Sequence, residues 1–309
     1  MKAAPIDQSS IREKAATLTY VVLTAARNEE ELIEKTLKSM VIQTVKPLKW
    51  IIVSDGSTDR TDEIVRSYAE QHPWIELMRM PERKERDFGG KARSINTAYE
   101  HVRNLQFDLV SNLDADISFG PTLFEYLLGK FRTIPRLGVG GTPYAENPEK
   151  PHLHSCSESW ADLNYVSGAC QLFRRECWEQ IGGYVQIKSG GMDWIAVTTA
   201  RINGWQTTCF VDQHYFHHRK VGTGTWSPLG ARFEYGKKAY WLGGHPLWEV
   251  LRGIASMKQS PFVIGGLSFI WGYFYAAMTR TERKVPIEVM QFRRADQMAR
   301  LRKIVGLGK

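Results

Sequence analysis

Cysteine is scarce: four in 309 residues (Cys156, Cys170, Cys177, Cys209), none of them in a Cys-x-x-Cys spacing. That scarcity excludes a dense disulfide framework and argues against a zinc site, and it predicts reduced thiols in a cytosolic compartment. No apolar h-region opens the chain, since Met1–Leu18 is polar and mixed in charge, so no secretory leader is expected. Internal repeats and low-complexity linkers are missing too, which leaves one large or two smaller globular domains. Acidic residues are in the minority, 33 Asp and Glu against 41 Lys and Arg, for a net charge of +8. That sign suits anionic partners such as nucleotide diphosphates, lipid phosphates or an anionic membrane face. Nucleic acid is not expected as a partner. No basic stripe interleaves with aromatics, and acidic clusters stand where a nucleic-acid groove needs positive charge.

What is present is a rhythm. Leu18–Ala26 (LTYVVLTAA) is a short apolar run rich in β-branched residues and reads as a buried strand. Glu29–Val41 then places Leu32, Ile33, Leu37 and Met40 at helical spacing. Trp50–Val53 is a second strand, Thr61–Tyr68 a helix, Ile75–Met78 a third strand, Ala92–Val102 a helix and Phe107–Leu113 a fourth strand. Strands alternating with helices in this way predict an α/β fold with a doubly wound, mostly parallel sheet and helices on both faces. Ligands of such sheets sit at the carboxyl ends of the strands. Arg27, Asp55 and Asp114 each follow a strand. Past Gly140 the alternation fades.

Asp114-Ala115-Asp116 brings two carboxylates to the end of the fourth strand. Hard oxygen ligands of this kind suit Mg2+ or Mn2+, which also bridges phosphate oxygens. Taken alone such a triplet is more often a turn or a helix cap. Asp55-Gly56-Ser57-Thr58-Asp59 ends the second strand, where Gly56 permits a tight turn and Asp55 can accept hydrogen bonds from a base or ribose. Asp59 reads as a cap for the following helix. Lys91, after Gly89-Gly90, is a candidate point charge for a diphosphate or a plain surface lysine.

The run VVLTAARNEEELIEKTLKSMVIQTVKPLKWIIVSDGSTDRTDEIV, followed by GGKARSIN and LDAD, resembles the donor half of family 2 glycosyltransferases. The resemblance is close from Tyr20 to Phe119 and looser through His218. It implies a GT-A fold, an inverting mechanism and a metal-bound nucleotide-sugar donor, a UDP- or GDP-sugar. It places Ala25, Arg27 and Glu29 on the first nucleotide-binding loop, Asp55 near the base, and Lys91 near base or phosphate. Asp114 and Asp116 become the Asp-x-Asp pair, with Asp116 as the more direct metal ligand. Two departures touch base recognition: Ala25 stands where many relatives have proline, and Ser54 where many have aspartate.

Inverting transfer needs a carboxylate to take the acceptor hydroxyl's proton. Asp193, in Gly190-Gly191-Met192-Asp193-Trp194, resembles the second residue of the family's Glu-Asp pair, with Met192 in place of the glutamate. An aspartate there also caps a helix whatever its chemistry. Val166–Cys170 resembles the floor beneath the donor sugar. His217-His218-Arg219 offers a metal ligand (His217), a diphosphate contact or an acceptor-phosphate contact. Thr223–Trp226 is a candidate closing loop, and His152-x-His154 an exposed loop.

From Ser260 to Thr279 no charged residue occurs. With Trp271, Tyr273 and Tyr275 inside and Lys258, Arg280, Arg283 and Lys284 outside, the stretch predicts membrane association, whether spanning, re-entrant or interfacial. A buried core helix is the alternative. Arg293, Arg294, Arg300, Arg302, Lys303 and Lys309 make the tail basic, which favours the cytoplasmic face of the cell membrane. The expected layout is an N-terminal polar segment (1–17), a catalytic domain (18–220, donor half to 119) and a membrane-associating region (221–309). The expected activity is metal-dependent sugar transfer to a lipid-linked or polysaccharide acceptor. A nucleotidyltransferase of similar fold is the rival, though its usual glycine-rich basic loop near the N-terminus is missing. A catalytically silent membrane scaffold is another.

Overall fold

The computed structural model describes residues 18–81, 88–146, 163–187, 190–219, 227–283 and 285–306. The chain runs β1 (Tyr20–Ala26), α1 (Ile33–Val41), β2 (Lys49–Asp55), α2 (Thr61–Gln71), β3 (Ile75–Met80), α3 (Phe88–Val102), β4 (Leu109–Leu113) and β5 (Ile117–Phe119). It continues through α4 (Leu123–Thr133), β6 (Leu137–Gly141), β7 (Tyr144–Ala145), β8 (Cys170–Arg174), α5 (Arg175–Ile181), α6 (Met192–Ile202), β9 (Gln206–Cys209) and β10 (Tyr215–His217). Four helices close the chain: α7 (Pro228–Trp241), α8 (Pro246–Ser256), α9 (Ile264–Met278) and α10 (Ile287–Ile304).

The large sheet has the order β3-β2-β1-β4-β8-β6-β9. Its first four strands are parallel, as the βα rhythm predicts. β8 breaks that pattern, running antiparallel to both β4 and β6, while β9 lies parallel to β6. Both faces are covered, which is why Tyr20–Leu23 of β1 and Trp50–Val53 of β2 are apolar without a break. Alternation then assigns their side chains. Tyr20, Val22, Trp50 and Ile52 pack with Leu37 of α1 and Phe124 of α4 on one face. Val21, Leu23, Ile51 and Val53 pack with Ile95 of α3 and Trp178 of α5 on the other.

One expectation is corrected and another is narrowed. Cys209 is disulfide-bonded, so the four cysteines are not all reduced thiols; Cys170 and Cys177 are free and buried. Spacing along the chain carries no information about which cysteines fold close together. The apolar stretch from Ser260 to Thr279 folds as α9, whose 15 residues extend about 22 Å, short of the ~30 Å hydrocarbon layer. No helix among the described residues is long and apolar enough to cross a membrane. That removes the spanning form alone, and glycine explains how the helix packs. A Cβ on Gly272 would stand 2.1 Å from the Phe233 carbonyl oxygen in α7, and one on Gly266 2.4 Å from that of Gly253 in α8. These glycines let three helix backbones approach. His152, His154 and the Thr223–Trp226 loop lie outside the described residues.

Candidate active site

β4 ends at Leu113, and the next residue turns out of the sheet with its N–H donating to the Ala169 carbonyl at 2.8 Å. Asp114 and Asp116 follow on this turn. β5 then pairs antiparallel with β10 in a small sheet, with Ile117 opposite His217. That register sets the imidazole beside the preceding carboxylate: His217 Nε2 lies 3.7 Å from Asp116 Oδ1. Ligand atoms of Asp114, Asp116 and His217 all fall within 4.8 Å of one another. His217 Nδ1 meets the Arg219 carbonyl at 2.6 Å. A carbonyl only accepts, so Nδ1 donates this bond and Nε2 is the nitrogen that faces the carboxylates. His218 instead turns its Nε2 to Ser118 Oγ at 2.8 Å, a structural bond.

Asp116 is 7% exposed. Burial raises its pKa above the ordinary aspartate value and the Asp114 carboxylate adds to the rise, while His217, Arg219 and Lys91 oppose it. Two close carboxylates and an imidazole nitrogen form a set that suits a divalent cation, and its oxygens suit Mg2+ or Mn2+.

Lys91, in the first turn of α3, pairs with Asp114 Oδ1 and lies 3.5 Å from the Gly168 carbonyl. Asn112 also donates to that carbonyl. Across Gly168 stands Asp193, so close that a Cβ on Gly168 would meet Asp193 Oδ2 at 2.8 Å. Asp193 is in the first turn of α6, but the helix is capped at Gly191 without a side-chain bond. Its Oδ2 accepts instead from the Tyr165 hydroxyl at 2.8 Å. Burial, then the Asp193 charge, pushes the Tyr165 phenol well above its usual range, so it stays a proton donor.

The first loop carries the other candidates. Ala25 and Arg27, half-buried, end β1, and Asp55, buried, ends β2 at the same edge. Glu29 holds Arg219 through a two-pronged pair, at 3.0 and 2.7 Å. Arg219 Nε is 3.9 Å from Asp116 Oδ2, so this arginine joins the loop after β1 to the carboxylate pair. Asp59 takes Thr61 N–H at 3.0 Å through one oxygen and Glu30 N–H at 3.0 Å through the other. It stands one residue before the N-cap, Arg60, rather than at the cap itself, and it also pins the Glu29 loop.

Residues 21–192 match the family model for glycosyl transferase family 2. The chain belongs to this family. Over 179 residues it is 28% identical to the poly-beta-1,6-N-acetyl-D-glucosamine synthase of Staphylococcus epidermidis, covering 52% of this chain and 40% of that protein. For the synthase of the same name from Staphylococcus aureus (strain COL) the identity is 29% over 175 residues, with the same coverage. The chain therefore spans 40% of the length of these curated relatives. Among solved structures it is similar to a mannosyltransferase from Pyrobaculum calidifontis in complex with GDP-Man and Mn2+, with a TM-score of 0.56 at 18% identity, covering 94% of this chain and 82% of that one. It is also similar to S. aureus TarS 1-349 in complex with UDP-GlcNAc, with a TM-score of 0.55 at 13% identity, covering 94% and 84%. These likenesses establish the fold, a GT-A arrangement with a helical C-terminal extension.

The family match ends at Met192, one residue before Asp193. Sequence reasoning missed Tyr165 and Asn112, for which no local pattern exists. It also missed a set of side chains on α10. Arg293, Asp296, Gln297 and Arg300 recur at i, i+3, i+4 and i+7, one helical face, and that periodicity was legible within a tail read only as basic.

Proposed function

We propose that this family 2 chain is an inverting glycosyltransferase, moving a sugar from a UDP- or GDP-sugar to a hydroxyl of a lipid-linked or polysaccharide acceptor. The observation that carries the reading is Asp193, packed against Gly168, whose carbonyl faces the Lys91–Asp114 pair. A nucleotidyltransferase has no need of a carboxylate there. Asp114, Asp116 and His217 would hold a divalent cation, which supplies charge neutralisation for the departing nucleoside diphosphate. Ala25, Arg27, Glu29 and Asp55 line the strand ends where base and ribose bind. Lys91 brings a cation toward the phosphates, and Arg219 sits poised between Glu29 and Asp116.

Transfer is a single displacement. Tyr165 fixes one Asp193 oxygen, and Oδ1, which has no hydrogen-bond partner among the described residues, takes the acceptor's proton. The acceptor oxygen forms its bond to the anomeric carbon as the bond to the diphosphate breaks, and the electron pair leaves with the diphosphate. Gly168, which can bear no side chain here, leaves room beneath the sugar.

The membrane part of the proposal rests on α9. Phe262, Ile264, Leu267, Trp271 and Met278 are each more than half exposed, and exposed Lys258, Arg280 and Arg283 flank them. That combination suits an anionic bilayer surface, which basic residues mark as the cytoplasmic one.

Asp193→Asn tests the chemistry. It is expected to lower kcat by at least about 1,000-fold, while Mn2+ with UDP or GDP raises Tm as it does for the native chain. Normal turnover by this variant would remove Asp193 as the base.

A further inference from the structure

His217 is the last residue of β10, a strand of three residues. A side chain at the end of so short a strand keeps rotamer freedom unless its neighbours remove it. Tyr144 and Arg219 remove it here. The Tyr144 ring of β7 packs beside the imidazole, with centroids 5.7 Å apart. Nδ1 donates to the Arg219 carbonyl at 2.6 Å. That bond turns Nε2 toward the carboxylates, so the aim of the ring depends on where the peptide of residue 219 lies.

This peptide is held from a loop 190 positions earlier in the chain. Arg219 donates through Nη1 and Nη2 to the two oxygens of Glu29. Glu29 is a firm anchor. Its side chain is 10% exposed, its N–H donates to Thr61 Oγ1 at 2.8 Å, and its carbonyl accepts from the N–H groups of Leu32 and Ile33 at the start of α1. Nearer the ring, the His218 N–H donates to the Asp116 carbonyl at 3.0 Å. The backbone that follows His217 is therefore pinned twice, at 218 by the chain entering β5 and at 219 by a side chain.

Charge compensation of Asp116 is the rival role for this arginine. Its Nε lies 3.9 Å from Asp116 Oδ2, and its charge helps offset the effect of burial on that carboxyl. The two roles differ in sign. A guanidinium repels a divalent cation, so charge alone predicts tighter cation binding once Arg219 is made neutral. Positioning predicts weaker binding. The geometry favours positioning, because the contacts to Glu29 are the short ones, at 3.0 and 2.7 Å, and the Asp116 contact is the long one. A two-pronged pair also fixes direction, which a point charge does not.

We infer that Arg219 is a positioning residue for the cation site: anchored on Glu29, it fixes the carbonyl that aims His217 Nε2 at the Asp114–Asp116 pair. The inference rests on the proposed reading of those three side chains as cation ligands. In this role Arg219 touches no reacting atom. Its side chain is 46% exposed, and a pair so open to water adds little to the fold. Variants at this position are therefore expected to unfold at nearly the native Tm.

The test titrates Mn2+ into the full chain by calorimetry, with UDP or GDP present and a nucleotide-only blank subtracted. Arg219→Gln is expected to weaken Mn2+ binding at least about tenfold, the usual cost of removing the outer partner of a metal ligand. Glu29→Gln is expected to weaken it in the same direction. Arg219→Lys keeps the charge without the fork and is expected to recover only part of the loss. The deciding variant carries His217→Ala as well. With the third ligand gone, adding Arg219→Gln is expected to cause no further loss of Mn2+ affinity. Unchanged or tighter binding by either Gln variant would overturn the inference, and so would an equal loss in the His217→Ala background. In each of those cases Mn2+ binding by the native chain would leave the cation reading standing. A native chain that binds no Mn2+ with either nucleotide would overturn both.

Discussion

Glu76 on β3 meets Lys49 of β2 at 2.7 Å and His101 of α3 at 2.8 Å. The Lys49 hydrogen bond, helped by both positive charges, holds its carboxyl below the ordinary value of 4.5 against the effect of burial. A carboxylate whose folded pKa lies below its unfolded one stabilises the fold above the unfolded value. That contribution is lost as pH falls through the folded pKa. Glu76→Gln is therefore expected to be less stable than the native chain at pH 7, with the gap closing toward pH 3, as read by urea denaturation at both. A gap independent of pH would contradict the assignment. Residues of this sort differ in how legible they were. Asp55, Lys91, Asp114 and Asp116 lie in short motifs whose chemistry is local, and the structure brings Lys91 to Asp114. Arg219 reaches Glu29 across 190 positions, and Tyr165 reaches Asp193 across 28; no spacing announces such pairs.

At the scale of an element, α9 has two faces of different character. Mean apolarity over Ser260–Thr279 suggested a segment for lipid, yet its buried residues, among them Gly266, Phe269, Gly272 and Tyr273, form a protein-facing stripe. Two opposing effects meet at Gly272. Replacing a helical glycine gains up to about 1 kcal/mol of propensity, but overpacking a close contact costs about 1–3 kcal/mol. With a carbonyl oxygen 2.1 Å from the added carbon, the packing term wins. Gly272→Val is expected to lower stability by about 2 kcal/mol, measured as a shift in urea midpoint with unchanged slope. A neutral or stabilised variant would mean that α7 and α9 separate more readily than their packing suggests. On α10 the charges looked diffuse until Glu249 gave Arg293 a direction.

For the whole molecule, the parallel half was readable because each βα unit closes on its neighbour. The insertion of β8 between β4 and β6 was not, since it depends on pairing across more than fifty residues and on a stretch where alternation fades. The same scale holds the membrane proposal. Flotation with vesicles of neutral lipid, and with added phosphatidylserine, is expected to recover the chain chiefly with the anionic vesicles. Leu267→Glu and Trp271→Glu together should reduce that recovery at least about fivefold. A chain that floats with neither composition would remove the membrane from the reading.

The pairing of Ile117 with His217 has a consequence for the order of events during synthesis. A growing chain displays both aspartates long before residue 217 leaves the ribosome, and until β10 docks on β5 their mutual repulsion has no imidazole to relieve it. The proposed ion capture by all three side chains would therefore wait for a hundred-residue loop to close, among the slower classes of contact to form. Affinity for the cation would then report that the two halves have come together, and a chain released too early would hold its first two ligands without the third.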